Sequence, residues 1–260
     1  MIEEKEKQKE IHELIAAIGL KTRLPRDRVA FALELAIEQA VCEYFKVREC
    51  LVDIEDKSVT PVIPAPSAME TAKTDLFGSS VVYGGLSAAE VTFEKLDKHI
   101  IKRCRQLFGR NLEQMETVYL YEKWKRKAHQ AVEGVIHTVD PVKAKIRLGD
   151  NVQGVMLKPE WVPKELSLYQ KGAPFWFYVS KTMKEKSGVT VYLSRGSKNL
   201  PAVLLKEKLP WAKIRAVKRT RGKKNWLESS ALIDPEIIRE LQRELKGEVI
   251  EIRKPDLFLA

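Results

Sequence analysis

Residues 131–197 constrain the fold more than any other part of the chain, because apolar and polar residues alternate there in five short runs. A period of two predicts strands that bury one face, and the Gly, Pro, Asn and Asp residues between the runs predict turns. Five strands in this length predict a small closed Greek-key barrel. Gly134 and Gly154 lie inside runs, where a barrel corner or bulge favours a residue without a side chain. The five runs are residues 131–139, 144–148, 152–157, 175–179 and 189–194.

Short motifs in this segment resemble the S1-type RNA-binding OB fold. They are Gly134-Val-Ile, Ile146-Arg-Leu-Gly149, Gly154-Val-Met-Leu157 and Leu193-Ser-Arg195. The flanks resemble further parts of one family in the same order. Residues 24–34 and 91–94 are similar to its polymerase-binding domain, and residues 244–252 are similar to the end of its first KH domain. With these flanks, the chain resembles the bacterial transcription termination/antitermination factor NusA family.

The resemblance implies an α+β multidomain protein with three parts. Residues 1–127 would form an N-terminal helical α/β domain that binds RNA polymerase. Residues 128–200 would form the central five-stranded S1-type OB barrel, and residues 201–260 a basic C-terminal α/β domain of KH-like fold. The sequence ends before the second KH domain that members of the family carry, which predicts a shortened, divergent member.

The KH-like segment departs from the family at its nucleic-acid loop. In KH domains a GXXG loop at a helix N-terminus clamps the nucleic-acid backbone. The corresponding residues 232–235 contain no glycine, and Asp234 and Glu236 would place negative charge where a phosphate should bind. We therefore expect a degenerate KH-like segment that does not bind RNA through this helix.

The patterns on both sides of the barrel predict helices and strands. Residues 2–18, and a second segment that opens near Pro25, carry apolar residues at helical spacing. A third helix is predicted to begin at either Ser87, which has Glu90 three residues later as in a capping box, or Thr92. The Pro-, Ala-, Ser- and Thr-rich residues 60–80 predict a long loop. Further predicted elements are strands at 47–54, 81–83, 211–220 and 249–252, and helices at about 112–127 and 234–246.

Composition points to an anionic partner. The net charge is +10 and the isoelectric point is near 9.4, values that favour nucleic acid over a membrane surface, although lysine and arginine also serve simply to solvate a surface. No apolar run approaches the roughly 18 residues of a membrane span, and the charged N-terminus lacks the apolar core of a secretory signal. Cys42, Cys50 and Cys104 form no CxxC pair, which favours reduced thiols and a cytoplasmic location.

The barrel surface provides the first candidate RNA site. Lys145 and Arg147 are predicted to point outward from the second strand, and Trp176 and Tyr178 from the fourth. Cations beside exposed rings suit single-stranded nucleic acid, because charges pair with phosphates while each stacked base contributes about 1–3 kcal/mol. Outward aromatics also mark domain interfaces, so the two rings would alternatively pack under the C-terminal segment. Further candidates for this surface are His137, Lys158, Arg195 and Lys198.

Two aliphatic residues weaken the prediction for this face. Val155 and Leu157 stand at positions where RNA-binding S1-type domains often carry an aromatic residue and a histidine.

A basic run after the barrel provides the second candidate site. Only Glu207 opposes its charge, and Trp211 and Trp226 are interleaved. This density favours a phosphate footprint over a solvated face, and it predicts salt-sensitive binding with weak sequence selectivity. The run comprises Lys206, Lys208, Lys213, Arg215, Lys218, Arg219, Arg221, Lys223 and Lys224.

Nothing in the sequence predicts catalysis, a cofactor or a metal site. The four histidines have no metal-ligand spacing with one another or with cysteine. There is no GxSxG motif, and Gly149 to Gly154 lacks the Lys-Ser/Thr of a phosphate loop. We therefore predict a protein that is not an enzyme.

The leading functional prediction is a factor for transcription elongation, termination or antitermination. Its predicted partners are RNA polymerase and single-stranded nascent RNA, with other transcription factors as further candidates and no membrane. One alternative is an adaptor that binds polymerase and other proteins but no RNA. A second alternative is a free-standing RNA-binding module of translation or decay.

Overall fold

The computed structural model describes residues 2–64, 81–83, 86–88, 91–185 and 188–254. Most of the loop predicted at 60–80 therefore lies outside the described residues, and the described part of it, up to Pro64, belongs to a strand. The chain divides into two compact units, Met1–Tyr119 and Leu120–Ala260. No helix among the described residues is long and apolar enough to cross a membrane.

The first unit combines helices with a small sheet. The side chains of Ala36, Val41, Val59 and Ile100 lie together in its main core. Its elements are α1 (Ile2–Thr22), α2 (Arg26–Phe45), β1 (Glu49–Asp53), β2 (Ser58–Pro64), β3 (Val81–Tyr83), β4 (Leu86–Ala88), β5 (Val91–Thr92) and the start of α3 (Lys98–Arg126).

The third helix begins later than the sequence predicts. Neither Ser87 nor Thr92 starts it, because both residues pair with β2: Ser87 opposes Ile63 and Thr92 opposes Ser58. The helix begins at Lys98 and continues to Arg126 without interruption, so the further helix predicted at 112–127 is its second half.

The second unit contains the closed five-stranded barrel that the alternating pattern predicts. The strands are joined in the order β10-β8-β7-β6-β9, and β9 pairs with β10 to close the ring. All pairs are antiparallel except β8 with β10, as expected for an OB-like barrel. The strands are β6 (Ala131–Val139), β7 (Lys143–Arg147), β8 (Gln153–Leu157), β9 (Pro174–Glu185) and β10 (Gly188–Ser194).

Side chains from the inward-facing positions of the strands fill the barrel interior. Ile136, Ile146, Met156, Phe177 and Val191 are each almost completely buried there. Alternation in the sequence thus corresponds to alternation between barrel interior and barrel surface, and the fold is α+β with a closed mixed barrel.

A three-stranded sheet with two helices follows the barrel. The strand order is β11-β12-β13, and β12 and β13 are parallel because α5 crosses between them. Leu204, Leu227 and Leu241 belong to the core of this part, together with Ala131 and Tyr178 from the outside of the barrel. Its elements are α4 (Leu200–Lys208), β11 (Ile214–Thr220), β12 (Lys224–Ser229), α5 (Pro235–Glu244) and β13 (Val249–Arg253).

Candidate nucleic-acid interface

An open pocket of about 330 Å³ lies on the barrel surface beside β6, β7 and β8. Three of the predicted RNA-binding residues, His137, Lys145 and Arg147, line it together. Strand pairing explains the arrangement, since Arg147 opposes Gln153 across the β7–β8 pair and Lys145 is two residues earlier on the same face. The remaining lining residues are Ile146, Val152 and Gln153.

The cations of this pocket are available to a ligand. Arg147 and His137 are exposed and Lys145 is half-buried. Among the ion pairs formed by the described residues, none involves Lys145 or Arg147. Two cations without a carboxylate partner on one strand face can bind successive phosphates of a single strand.

An aromatic residue that was not predicted for this site, Tyr192, lies in the same cross-strand row as Lys145. Tyr192 on β10 pairs with Val155 on β8, which in turn pairs with Lys145 on β7, so the three occupy one row across the barrel. The ring is partly exposed, and the Lys181 ammonium lies 4.6 Å from its centroid. At the usual strand spacing, Tyr192 is roughly 10 Å from Lys145.

The row supplies a ring next to the aliphatic Val155. The signal for Tyr192 was present in the sequence, because its neighbours Val191 and Leu193 are the inward-facing residues of β10 and alternation places Tyr192 outside.

The two aromatic residues that were selected are covered. Tyr178 is only 8% exposed and Trp176 is half-buried, and both pack against the core that α4, α5 and the C-terminal sheet form. The Tyr178 hydroxyl lies 2.9 Å from His129 Nδ1 and accepts a hydrogen bond from Asn199 Nδ2. The structure therefore shows the alternative arrangement, in which these rings lie under the C-terminal segment.

Arg195 is fully buried, so the prediction that it extends an exposed surface is wrong. Its Nε donates to Glu165 Oε2 at 2.9 Å, and its other nitrogens donate to the carbonyl oxygens of Trp176 and Glu244. Burial by itself lowers the pKa of the Arg195 guanidinium, but the Glu165 carboxylate raises that pKa above its usual value. Arg195 thus holds the barrel and the C-terminal part together as a cation.

Four of the nine cations of the basic run pair with carboxylates of the protein, and a fifth, Arg221, is held by carbonyl oxygens. Arg219 is buried against Glu248, and Arg215 pairs with Glu228 at 2.7 Å. Lys224 pairs with Glu251, and Arg221 donates to the carbonyl oxygens of Gly196 and Pro159. Lys208 pairs with Glu240.

The other predicted cations remain exposed. Among the described residues they form no ion pair, and they do not line the barrel pocket. These residues are Lys158, Lys198, Lys206, Lys213, Lys218 and Lys223.

The N-terminus of α5 is occupied by its own cap. The Asp234 carboxylate accepts a hydrogen bond from the Glu236 amide at 2.8 Å, and Pro235 offers no amide hydrogen. A carboxylate at this position repels a phosphate from the positive end of the helix.

No metal-binding cluster of three or more His, Cys, Asp or Glu side chains occurs in the part of the chain that the structure describes.

The chain has a distant relationship to a bacterial transcription factor. The chain is 27% identical, over 138 residues, to the transcription termination/antitermination protein NusA of Thermus thermophilus. Over half of its own length, this chain resembles NusA. The matched residues are 51% of this chain and 35% of that protein, so the chain corresponds to about a third of its relative. No protein-family profile matches the chain.

Proposed function

We propose that this chain is a non-enzymatic factor of transcription elongation, termination or antitermination. In this proposal the first unit binds RNA polymerase, and the barrel binds single-stranded nascent RNA. The observation that carries the RNA part is the open pocket that His137, Lys145 and Arg147 line together, two strands away from the Lys181–Tyr192 pair. The distant likeness to NusA supports the polymerase part.

The proposed mechanism is positional. A few phosphate contacts and one stacked base give only modest affinity for free RNA. Binding to the polymerase would hold the barrel near the emerging transcript, which raises the local RNA concentration and makes that affinity sufficient.

The barrel pocket is tested with Lys145→Gln/Arg147→Gln in the full chain. We expect weaker binding of a labelled single-stranded RNA, and a plot of log affinity against log salt whose slope falls by about 1.4, at about 0.7 per phosphate contact. The matched control is Lys102→Gln/Arg105→Gln, which removes the same charge from exposed positions of α3. If the two double variants weakened RNA binding equally, Lys145 and Arg147 would act only through the net charge of the protein, and the pocket would not be an RNA site.

The polymerase contact is tested by a pull-down of core RNA polymerase with the full chain at low salt. We expect the two to co-purify, and the Lys145→Gln/Arg147→Gln variant to co-purify equally well. Failure of the folded wild-type chain to retain polymerase would contradict this part of the proposal.

A second candidate function, a polymerase-bound adaptor without RNA binding, has a specific observation in its favour. All three arginines of the basic run already hold partners inside the protein, and the N-terminus of α5 is capped. If this candidate is correct, replacing the exposed Lys213, Lys218 and Lys223 with Gln leaves RNA binding and its salt slope unchanged, and the barrel variants do the same. Other transcription factors would then be the partners of these surfaces.

A further inference from the structure

The outer face of the C-terminal sheet is built around a single tryptophan. Trp226 lies in the middle strand β12, where it pairs with Lys218 on β11 and with Glu251 on β13. The ammonium nitrogen of Lys218 lies 5.5 Å from the ring centroid, and that of Lys224 lies 5.1 Å from it. The indole therefore has two cations beside it.

Alternation along β12 shows that this face is separate from the core. Asn225, Leu227 and Ser229 are buried, whereas Lys224, Trp226 and Glu228, which alternate with them, are half-buried. The helices of the C-terminal part pack with Leu227 in the core on the other face. Trp226 thus lies on the solvent side of the sheet.

Cations outnumber carboxylates on this face. Glu228 pairs with Arg215, and Glu251 pairs with both Lys224 and Arg253. Lys218 takes part in no ion pair among the described residues, and its ammonium group lies over the Trp226 ring. The adjoining turn adds the exposed Lys223.

We infer that this sheet face is a second site for single-stranded RNA, in which one base stacks on Trp226. The inference rests on the proposed function, because it takes the RNA to be the polymer that the barrel also binds. Ring stacking needs no particular base, and Lys218 and Lys223 are placed to contact the phosphates on either side. The excess of positive charge on the face suits a polyanion.

The capped end of α5 makes the sheet face the more suitable surface of the C-terminal part. A carboxylate occupies the helix N-terminus, whereas the sheet face offers an aromatic ring and unpaired ammonium groups. The competing explanation is that Lys218 and Lys224 stack on Trp226 only to stabilise the β11–β12 hairpin. That explanation predicts a loss of stability on changing Trp226 and no change in RNA affinity.

The test uses the full chain and a fluorescein-labelled twelve-nucleotide oligoadenylate, with affinity measured by anisotropy at several salt concentrations. Trp226→Leu keeps an apolar side chain on the sheet but removes the ring. We expect it to weaken binding roughly 5-fold or more, from the energy of one stacked base, with an unchanged salt slope. Trp226→Phe should recover most of the affinity, because it restores a ring.

The matched control is Phe31→Leu, on α2 of the first unit and outside the basic run. Phe31 is 50% exposed, so this change also removes an exposed ring. We expect this variant to bind RNA like the wild type. As an independent readout, an oligonucleotide containing 5-iodouridine should crosslink under ultraviolet light to the peptide that carries Trp226.

The outcomes separate this inference from the proposed function. If Trp226→Leu and wild type bind alike and the crosslink maps elsewhere, while the Lys145→Gln/Arg147→Gln variant binds weakly, the sheet site is refuted and the barrel site stands. If Trp226→Leu alone weakens binding, the sheet site stands and the barrel pocket loses its role. A wild-type chain with no affinity for the oligonucleotide at low salt refutes both.

Discussion

At the scale of single residues, the buried Glu248 carboxylate accepts more hydrogen bonds than any other carboxylate among the described residues of the second unit. Arg219 donates to it twice, at 2.8 and 3.0 Å, and the Gly222 amide and Asn225 Nδ2 donate at 2.7 and 2.6 Å. Burial alone raises the pKa of Glu248, but the Arg219 guanidinium and the other donors outweigh burial and bring the pKa below 4.5. The ionised form is therefore the one that stabilises the fold.

The first prediction concerns Glu248→Gln. At pH 7 we expect its free energy of unfolding to fall by about 3–5 kcal/mol, because Arg219 loses its countercharge inside the protein. The folded pKa of Glu248 is lowered, so its contribution is present above the unfolded value near 4.5 and is lost as pH falls through the folded pKa. The difference between wild type and variant should therefore narrow below pH 4.5, as measured by urea unfolding at each pH.

The control for this prediction is Glu133→Gln at an exposed position of β6, which should change the free energy of unfolding by less than about 0.5 kcal/mol at pH 7. A difference for Glu248→Gln that stays constant down to about pH 2 would contradict the assigned role of the charge.

The sequence predicts only in part which basic residues are exposed at the barrel pocket and which arginines are buried. Lys145 and Arg147 were placed outside correctly, because alternation fixes the direction of a strand side chain. Arg219 is buried against Glu248, which lies 29 residues further along the chain. Arg195 is buried against Glu165, which lies 30 residues before it. No local pattern contains such a pairing, so a buried arginine and a free one look alike in the sequence.

At the scale of strands and helices, the barrel depends on a close approach at Gly154. A Cβ added there would lie 2.5 Å from Leu193 Cδ1 and 3.3 Å from Ile146 Cβ, both in the filled interior. The glycine predicted for a barrel corner therefore makes room for the side chains of two other strands.

The second prediction follows from that contact. Gly154→Ala should lower the free energy of unfolding by about 1–3 kcal/mol, because an extra methyl group overpacks the barrel interior. The matched control is Gly149→Ala in the turn before β8, where the added Cβ meets no atom within 4 Å. Urea unfolding of both variants measures the difference, and a control that is as unstable as Gly154→Ala would show that packing is not the cause.

Elements with a strong local hydrophobic period were predicted well. Elements whose limits depend on pairing with a distant strand were not. The five barrel strands follow from alternation. The Ser87–Glu90 spacing suggested a helix cap, yet Ser87 lies in a strand because β2 provides its hydrogen-bonding partner. Tertiary pairing overrides a short capping pattern of this kind.

At the scale of the whole molecule, the barrel and the C-terminal sheet share one hydrophobic core within the second unit. Ala131 and Tyr178 on the outside of the barrel belong to the same core as Leu205 and Leu245. Arg221 crosses the same boundary to reach the carbonyl oxygen of Gly196. The sequence predicted which strand face Tyr178 occupies, but what covers that face is decided by residues far along the chain.

A shared core predicts that the barrel and the C-terminal sheet unfold together. Leu227→Ala, which empties a site that is 1% exposed, should lower the free energy of unfolding by about 2–5 kcal/mol. Hydrogen exchange should then show that the amides of β8 and β10 lose protection by the same free energy as those of β12. The result is informative because β8 and β10 belong to the barrel, whereas Leu227 lies on β12 of the separate three-stranded sheet. Leu232→Ala, at a site that is 87% exposed, serves as the control and should leave exchange unchanged. If the barrel amides kept full protection in Leu227→Ala while β12 exchanged freely, the two parts would be separate cooperative units, and the buried contacts of Arg195 and Tyr178 would not couple them.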